Sequence, residues 1–442
     1  MKSKPLGRRG FLKTLAGAGV ATATGPLVLP SHLYGADAPS NRIQLLMIGC
    51  GRQGIGVNLR TFLGMPDVRV VGVCDVDQWR ATYAKEQVDR AYGGTGCRMF
   101  ADYREALEMP GVDAVMDSTT DHLHAFVSLA AIRKGYHVCA EKPLTRYYAE
   151  GRAVADAARQ AGIVFRTDTE CRSSAHMHRL ATLVRNGQVG KIRRIEAGVP
   201  RGDQPGGRRV EAPVPPDLDY DLWLGPAPEK PYMVDRVHQH RNFGRPGWMR
   251  YLDYCEGMIT NWGTHLLDVA QLVNDTEHTG PVSVEGTGTY PDPESGLWNV
   301  LVDFRVQYRY ADGVILDYLI DYPYLRVEGD EGWIRVDWMQ SRIEASDPAL
   351  LRYRPAASDV HLPLRGDKAD FVHGIQHNAP GDVMIDAETG HRTNGMCQIA
   401  HIAIQCGRRL DWDPDREQFT NDPEANALLA GSYRAPWSLD PA

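Results

Sequence analysis

Apolar residues in the first half of the chain are concentrated in short, mostly apolar runs separated by longer mixed segments. The runs are residues 43–48, 68–74, 112–117 and 137–140. Runs of this length are typical of parallel strands that are buried on both faces. A helix is predicted from His122 to Lys134, because its pattern stops at Gly135. We therefore predict an α/β fold whose N-terminal Rossmann domain covers residues 39–165.

The second half of the chain has a different period. Residues 302–310 alternate between apolar and polar side chains, which predicts a strand with one buried face. Further strands are predicted at hairpin spacing near residues 313–320, 325–329 and 333–338. With a helix over residues 390–409, this pattern predicts a C-terminal α+β domain, residues 166–410, built on an open and largely antiparallel sheet. We expect the tail, residues 411–442, to pack back on the core.

The first apolar run leads directly into a glycine-rich turn with the pattern G-x-G-x-x-G. Such a turn allows a tight bend, close approach of a pyrophosphate to the backbone, and a helix N-terminus that faces the phosphates. The second run ends in Asp75, whose carboxylate would accept hydrogen bonds from the adenosine ribose and repel a 2′-phosphate. The sequence therefore predicts NAD as the cofactor. Its predicted contacts here are Gly49, Gly51, Arg52, Gln53, Gly54 and Asp75.

Short motifs continue from the glycine-rich turn almost to the end of the chain. They include Asp121-His122-Leu123-His124-Ala125, Glu141-Lys142-Pro143, Asn261-Trp262-Gly263-Thr264-His265, Glu331-Gly332-Trp333-Ile334 and Arg434-Ala435-Pro436-Trp437. With these motifs the chain resembles the Gfo/Idh/MocA family, named after glucose–fructose oxidoreductase, inositol dehydrogenase and MocA. The resemblance implies an NAD-dependent redox enzyme that acts on a carbohydrate or polyol. It also implies a homo-oligomer, because the second-domain sheet often forms a subunit interface in that family.

The resemblance also implies roles for particular residues. It places Lys142 beside the nicotinamide and the reacting hydroxyl, with Glu141 orienting it. His265 is expected to act as the general base or acid beside the substrate. Asn261 stands where the family has an aspartate, and an amide can hold a substrate or an imidazole but cannot take up a proton. Arg172 is a further substrate-binding candidate. The remaining cofactor contacts are expected at Ser118, Thr119, His122, His124, Glu141 and Lys142.

Charge and composition argue against several other classes of function. The formal net charge of −7 disfavours nucleic acid as a partner, because phosphate binding needs clustered Lys and Arg. No apolar run reaches the roughly 18–20 residues of a membrane span. The eight cysteines form no C-x-x-C pair, and the pairs His122/His124 and His238/His240 lack carboxylates at ligand spacing. We therefore expect no metal site.

Residues 1–38 have the features of an export signal. Arg8-Arg9 resembles a twin-arginine motif, a weakly apolar stretch follows it, and Ala36-Asp37-Ala38 has the form of a cleavage site. Twin-arginine export carries folded proteins, so we expect a periplasmic or other extracytoplasmic protein that starts at residue 39.

Three functions remain open from the sequence. The first is a redox enzyme that passes a hydride to and from a sugar, glycoside or cyclic polyol. The second is an NAD-dependent glycosidase or epimerase with transient oxidation. The third is a non-catalytic exported sugar-binding protein, which Asn261 keeps open although Lys142 and His265 argue against it.

A nucleotide fingerprint and an export signal in the same chain predict a retained cofactor, because no NAD pool replenishes one that dissociates outside the cytoplasm. The long Pro- and Gly-rich loop, residues 200–233, and the C-terminal tail are candidates for covering the nucleotide. The aromatic residues between Trp223 and Tyr254 are candidates for shaping a sugar site.

Overall fold

The computed structural model describes residues 42–202 and 204–439, so the predicted export signal in residues 1–38 lies outside the described residues. The first domain is built on a six-stranded parallel sheet with the order β3-β2-β1-β4-β5-β6. Its strands are β1 (Ile43–Ile48), β2 (Val68–Cys74), β3 (Arg98–Phe100), β4 (Ala114–Asp117), β5 (His137–Glu141) and β6 (Phe165–Asp168). Because β1 lies between β2 and β4, the strand order reverses there and a crevice forms at the carboxyl ends of these strands. The predicted Rossmann topology is confirmed.

Helices cover both faces of this sheet. A π-helical turn (Gly54–Leu59) follows β1 and continues as α1 (Arg60–Leu63). The others are α2 (Gln78–Tyr92), α3 (Tyr103–Ala106), α4 (His124–Arg133) and α5 (Tyr148–Ala161). The Asp77 side chain caps α2 by accepting hydrogen bonds from the backbone N–H groups of Trp79 and Arg80. The predicted helix at His122 starts two residues later, because residues 120–123 form a turn in which Leu123 N–H bonds to the carbonyl of Thr120.

The second domain contains a nine-stranded sheet with the order β13-β12-β11-β7-β10-β9-β8-β14-β15. Its strands are β7 (Ile192–Pro200), β8 (Ser283–Thr289), β9 (Asp303–Arg309), β10 (Ile315–Asp321), β11 (Tyr324–Gly329), β12 (Trp333–Asp337), β13 (Arg342–Ala345), β14 (Leu410–Asp413) and β15 (Gln418–Phe419). All neighbours pair antiparallel except β7 with β10, which are parallel. The predicted open and largely antiparallel sheet is confirmed.

The tail contacts both domains. Strands β14 and β15 extend the second sheet beyond β8. Farther along, the rings of Tyr433 and Trp437 pack edge-on against Phe126 of α4, with ring centroids 5.2 Å and 5.4 Å away. The tail is therefore split between completing one sheet and covering a helix of the other domain.

One long helix joins the two domains. The helices of the second domain are α6 (Ala175–Arg185), α7 (Tyr220–Leu224), α8 (Met258–Asn261), α9 (Gly263–Val273), α10 (Asp367–Gln376), α11 (Ala387–Cys406) and α12 (Pro423–Ala427). Helix α11 is buried along most of its length. A Cβ at Gly390 would lie 1.9 Å from Thr167 Oγ1 of β6, and one at Gly395 would lie 2.5 Å from the ring of Tyr148 in α5. Helix α11 therefore packs on the first domain at distances that only glycine permits. Within residues 42–202 and 204–439, no helix is long and apolar enough to cross a membrane.

Candidate active site

A cavity of about 250 Å³ lies at the carboxyl ends of β1, β2, β4 and β5, in the crevice that the strand order creates. The structure brings many of the predicted site residues together around it. Those that line it are Gly49, Gly51, Arg52, Gln53, Asp75, Ser118, Thr119, His124, Glu141, Lys142 and Asn261.

The glycine-rich turn fits its predicted role. Gly49 has a φ of +90°, and a Cβ there would lie 2.3 Å from the carbonyl oxygen of Ser118. A Cβ on Gly54 would lie 2.3 Å from the carbonyl oxygen of Gly49. Glycine is therefore required at both positions, for the bend and for the close packing of the helix on the strand end.

Asn58 is a buried residue of this site that the sequence did not indicate. Its Nδ2 donates to Ser118 Oγ and to Glu141 Oε1, at 2.9 Å in each case. It therefore ties the ends of β4 and β5 to the helix that starts at the glycine-rich turn.

Asp75 lies at the end of β2, as predicted. Its Oδ2 accepts a hydrogen bond from Cys50 N at 2.7 Å, and its Oδ1 accepts one from Asp77 N at 2.8 Å. Burial raises the pKa of Asp75, while Arg80 and the two backbone donors oppose that shift. Arg80 also lines the cavity, so a cation stands beside the carboxylate although no arginine follows it directly in the sequence.

Asp75→Ala should weaken NAD binding by about ten- to a hundredfold, because it removes charge-assisted hydrogen bonds of roughly 1.5–3 kcal/mol. It should also relax discrimination against NADP, because Arg80 remains beside the position of the lost carboxylate. Dissociation constants of nucleotide-free protein for both nucleotides measure these effects. Asp75→Asn is the matched variant, because it removes the charge and keeps the side-chain volume. Unchanged NAD affinity in Asp75→Ala would show that Asp75 does not bind the ribose.

Residues 238–249, which we call the strap, form another wall of the cavity. His238, Gly244, Pro246, Trp248 and Met249 line it from this side. The first domain holds the strap through α2 and its cap. His238 Nε2 lies 3.0 Å from Asp77 Oδ2, and Arg80 Nη2 donates to the carbonyl of Asn242 at 3.1 Å. The strap is therefore fastened beside Asp75.

Phe243 provides the apolar part of this attachment. Its ring centroid lies 5.1 Å from that of Trp79 and 5.0 Å from that of Tyr83, both on α2. Of the described residues in the predicted cover, 200–202 and 204–233, only Leu222 and Trp223 line the cavity. No residue of the tail up to residue 439 lines the cavity. The strap thus occupies the place that the sequence assigned to the long loop and the tail.

Lys142 follows β5 and is half-buried at the cavity. Its Nζ donates to the backbone carbonyl of Asn261 at 3.1 Å, so the peptide of residue 261, rather than its amide side chain, holds the lysine. The Glu141 carboxylate accepts a hydrogen bond from the backbone N–H of Lys142 at 3.2 Å. Glu141 therefore positions the main chain at Lys142 rather than its amine.

His265 is buried and lies close enough to Lys142 for the lysine charge to act on its imidazole, but it does not itself line the cavity. Its Nδ1 lies 2.6 Å from Thr169 Oγ1, a partner that the sequence did not indicate. Burial, together with the charge of Lys142, lowers the pKa of His265 well below its usual value. The imidazole is therefore neutral near pH 7 and can accept a proton.

His124 and two carboxylates form a buried cluster at the same end of the sheet. His124 Nδ1 lies 2.8 Å from the carbonyl oxygen of Pro143, and its Nε2 lies 3.2 Å from that of Thr119. Two carbonyl partners require two N–H donors, which only the imidazolium has. Although burial opposes it, the charges of Asp117 and Asp121 raise the pKa of His124.

Asp121 lines the cavity and its Oδ2 is buried without a hydrogen-bond partner. Burial raises the pKa of Asp121 to about 6, although His124 and Lys142 oppose that shift. Because its folded-state pKa lies above its unfolded value, the folded state is destabilised as pH rises between about 4 and 6.

Asp121→Asn should raise the thermal stability of nucleotide-free protein at pH 7.5. The difference between pKa 3.8 and about 6 corresponds to roughly 3 kcal/mol, and the gain should be much smaller at pH 4. Melting temperatures at the two pH values measure this dependence. Asp321→Asn, which changes an exposed carboxyl group, is the matched control. A gain of equal size at both pH values would rule out the titration of Asp121 as its cause.

Besides Gly54 and His265, two further predicted site residues do not line the cavity. His122 packs between the rings of Trp223 and Tyr254, and its Nε2 lies 3.2 Å from the carbonyl oxygen of Trp223. Because the turn before α4 separates His122 from His124, only His124 faces the nucleotide side.

The second of these residues, Arg172, forms a bidentate ion pair with Asp268, at 2.7 Å and 2.6 Å. It also pairs with Glu277 at 2.5 Å. These contacts make Arg172 a support of the second domain rather than a ligand of the cavity. His238 and His240 bind Asp77 and Asp217 separately, at 3.0 Å and 2.8 Å.

Two family models match the chain. Residues 43–169 match the model described as "Oxidoreductase family, NAD-binding Rossmann fold". Residues 206–439 match the model described as "Oxidoreductase family, C-terminal alpha/beta domain". Both belong to the Gfo/Idh/MocA family.

Individual relatives match shorter parts of the chain. The 1,5-anhydro-D-fructose reductase of Ensifer adhaerens is 42% identical over 82 residues, 19% of this chain and 25% of that protein. The myo-inositol 2-dehydrogenase of Thermotoga maritima is 27% identical over 178 residues, 39% of this chain and 47% of that protein. The chain thus matches less than half the length of either relative.

Solved structures share the fold over a larger part of the chain. The WlbA dehydrogenase of Bordetella pertussis, solved with NADH and UDP-GlcNAcA, superposes with a TM-score of 0.61 at 15% identity. The alignment covers 84% of this chain and 99% of that one. Since the two family models account for both domains and the cavity carries the features of a nucleotide site, the chain belongs to the Gfo/Idh/MocA family of oxidoreductases, with NAD as its cofactor.

Proposed function

We propose that the enzyme transfers a hydride to and from a hydroxyl of a sugar, glycoside or cyclic polyol, and that it retains its cofactor between turnovers. The observation that carries this proposal is the position of Lys142 at the cavity, where its side chain is held by the carbonyl of Asn261 and its charge reaches the neutral imidazole of His265. The activities named for the two relatives, reduction of an anhydro sugar and dehydrogenation of an inositol, support a carbohydrate or polyol substrate.

The residues present fit NAD, because the tight glycine turn, Asp75 and the strand ends line one cavity. When bound, NAD supplies the hydride acceptor. Oxidation of a secondary alcohol also releases the hydroxyl proton, and Lys142 is the group that meets it at the cavity. Lys142 takes up that proton as it gives one of its own to His265, whose Nε2 is the acceptor when Nδ1–H donates to Thr169 Oγ1. Asn261 takes part through its carbonyl, which holds Lys142 Nζ at 3.1 Å.

Retention of the cofactor is supported by the strap, which closes the cavity beside Asp75 and is held by polar and aromatic contacts to α2. We further propose that the protein works outside the cytoplasm, after export guided by Arg8-Arg9, a segment beyond the described residues. A retained cofactor must return each hydride, either to the same substrate or to a second one. The subunit arrangement that we expect is a homo-oligomer.

A second candidate function uses the same residues. In an NAD-dependent glycosidase or epimerase, the hydroxyl is oxidised, a neighbouring bond is cleaved or a centre inverted, and the hydride returns to the same molecule. The strap favours both functions equally, because both need a cofactor that stays in place. The two functions differ in the product. The second function gives a cleaved or inverted molecule that has undergone no net oxidation.

The experiment starts from full-length protein purified without added nucleotide. After extensive dialysis it should contain close to one NAD(H) per chain, measured by mass spectrometry and absorbance. Incubation with a panel of sugars, polyols and glycosides should then show reduction at the nicotinamide band. The band should recover without an added acceptor or after addition of a second sugar. Protein that needs excess NAD and accumulates free NADH would contradict retention and indicate an ordinary dehydrogenase.

A further inference from the structure

A second cavity, of about 510 Å³, lies in the C-terminal domain and shares no lining residue with the nucleotide cavity. The chain between Gly247 and Tyr251 separates them, since Trp248 and Met249 line the first cavity and Tyr251 lines the second. Neither the hydride-transfer proposal nor the family resemblance assigns a role to this second cavity.

Both charged side chains that line this cavity in the described part of the chain are cations. Among the residues that the structure describes, Arg209 and Arg236 line it and no Asp or Glu does, although the chain as a whole has a formal net charge of −7. Arg209 is exposed, and its guanidinium is fixed by the carbonyls of Pro293 and Gly296, the second at 2.8 Å. A cavity of this kind attracts an anion.

Arg236 is the decisive residue because it is buried without a counter-charge. Only 5% of its surface is exposed, and among the described residues no carboxylate lies within ion-pair distance of it. Its Nη1 donates to the carbonyl of Pro231 at 2.6 Å, and the Tyr220 hydroxyl lies beside the same group. A buried cation in such surroundings is costly unless something completes its partners.

One edge of the Arg236 guanidinium is incompletely partnered. Its Nε–H is buried and has no acceptor, and its Nη2 donates to the thioether sulfur of Met233 at 3.5 Å. The Tyr220 hydroxyl is a further hydrogen-bond partner of the guanidinium. A thioether is a weak acceptor. The Nε and Nη2 groups together form an edge of the planar fork that matches the two oxygens of a carboxylate.

Aromatic rings supply the rest of the wall. Trp298 is held by its Nε1–H, which donates to the carbonyl of Asp235 at 2.8 Å. Tyr251 lies with its ring centroid 5.1 Å from the Arg236 guanidinium. Rings that are fixed in this way, next to a few convergent polar groups, are typical of small-molecule sites. The Arg250 guanidinium covers part of the Trp298 ring, at 4.4 Å from its centroid, so the edges of these rings rather than their full faces border the cavity.

The hydroxyl of Tyr290, which lines the cavity, is oriented by a chain of buried polar side chains. Its oxygen lies 2.8 Å from His401 Nε2, and His401 Nδ1 lies 2.6 Å from Glu256 Oε1. Glu256 in turn pairs with Arg146 at 3.1 Å. When Nδ1–H of His401 donates to Glu256, its Nε2 accepts the Tyr290 proton, and the Tyr290 oxygen can then accept a hydrogen bond from a ligand hydroxyl.

We propose that this second cavity binds an acidic saccharide unit, with the carboxylate on the incompletely partnered edge of Arg236 and the sugar ring among Tyr251, Tyr290 and Trp298. The site is distinct from the reaction site and does not depend on the proposed hydride transfer. It gives the protein a means of selecting uronate-containing saccharides.

Calorimetric titration of the full-length, NAD-loaded protein tests the proposal, with D-glucuronate, D-glucose 6-sulfate, D-glucose and acetate as probes. Glucuronate should bind at least about tenfold more tightly than glucose or acetate, because only it offers both the anion and the ring. Tighter binding of the sulfate ester than of glucuronate would identify a sulfated sugar and overturn the assignment of a carboxylate. Equal binding of glucuronate and glucose would overturn the proposal.

Variants of individual arginines test whether glucuronate binds in this cavity. Arg236→Gln should lower glucuronate affinity by about tenfold or more. Exposed Arg209→Gln, which leaves the buried core unchanged, should lower it by about threefold or more. Arg208→Gln is the matched control, because Arg208 pairs with Asp235 and does not line the cavity.

Lys142→Met separates this proposal from the proposed function. It should bind glucuronate like the parent, because Lys142 lies in the other cavity. Loss of glucuronate binding in Lys142→Met, or full affinity in both Arg209→Gln and folded Arg236→Gln, would overturn the proposal.

Discussion

Replacement of Lys142 by methionine should lower turnover by about 10²–10⁴-fold, the usual contribution of a positioned acid–base group. Methionine keeps the length of the side chain but cannot relay a proton, and it cannot donate to the carbonyl of Asn261. The rate of reduction of bound nicotinamide, with any substrate that reduces it in the parent, measures the loss. Lys134→Met is the matched control, because Lys134 is paired with Glu108 at the surface.

His265→Ala should cause a loss of the same order, and the double variant should lose less than the product of the two single losses, because the two residues act as one unit. An independent readout comes from NMR titration of the His265 imidazole. Its pKa should rise in Lys142→Met, since a nearby positive charge is removed, but stay below the usual value because the ring remains buried. Full activity in Lys142→Met, or an unchanged His265 pKa, would remove the lysine from the relay.

Phe243→Ala should accelerate the release of NAD by about ten- to a hundredfold, because affinity differences between related complexes arise mostly in the off-rate. Phe243 pairs with Trp79 at 5.1 Å and with Tyr83 at 5.0 Å. Such pairs contribute about 0.5–1.5 kcal/mol each beyond the burial of apolar area, and about 1.4 kcal/mol corresponds to a factor of ten. Exchange of bound NAD for labelled NAD measures the off-rate.

The control for the strap is Tyr322→Ala, which removes an exposed aromatic ring at the β10–β11 turn. It should retain NAD like the parent. Release from Phe243→Ala at the parental rate would mean that the strap does not hold the nucleotide in place, and the retention proposal would then lose its structural support.

Local patterns in the sequence predicted the fold and one half of the site. Short, mostly apolar runs identified β1, β2, β4 and β5, and the glycine spacing with Asp75 identified the nucleotide crevice. Strand β7 was not predicted, because charged residues such as Arg194 and Glu196 interrupt its apolar positions. It nevertheless lies inside the second sheet between β11 and β10, where pairing on both sides stabilises it.

The rest of the site depends on contacts between distant parts of the chain. Thr169 and His265 contact each other although they are 96 positions apart in the sequence. Asn58 and Glu141 are hydrogen-bonded at a separation of 83 positions. Nothing in the local sequence marks such partners. The strap was missed for the same reason, since its attachment to α2 depends on Phe243 meeting an aromatic pair far earlier in the chain.

The fit of α11 against the first domain restricts how the enzyme can open. Besides the close approaches at Gly390 and Gly395, α11 donates side-chain hydrogen bonds from Asn394 and Gln398 to the carbonyl of Thr145, at 3.0 Å and 3.1 Å. Thr145 lies three residues after Lys142, so a hinge rotation of the two domains would break these bonds and displace the lysine. We therefore expect nucleotide entry and exit to require local release of the strap rather than a hinge rotation of the two domains, and a chimera that exchanges the C-terminal domain must also preserve the α11 contacts.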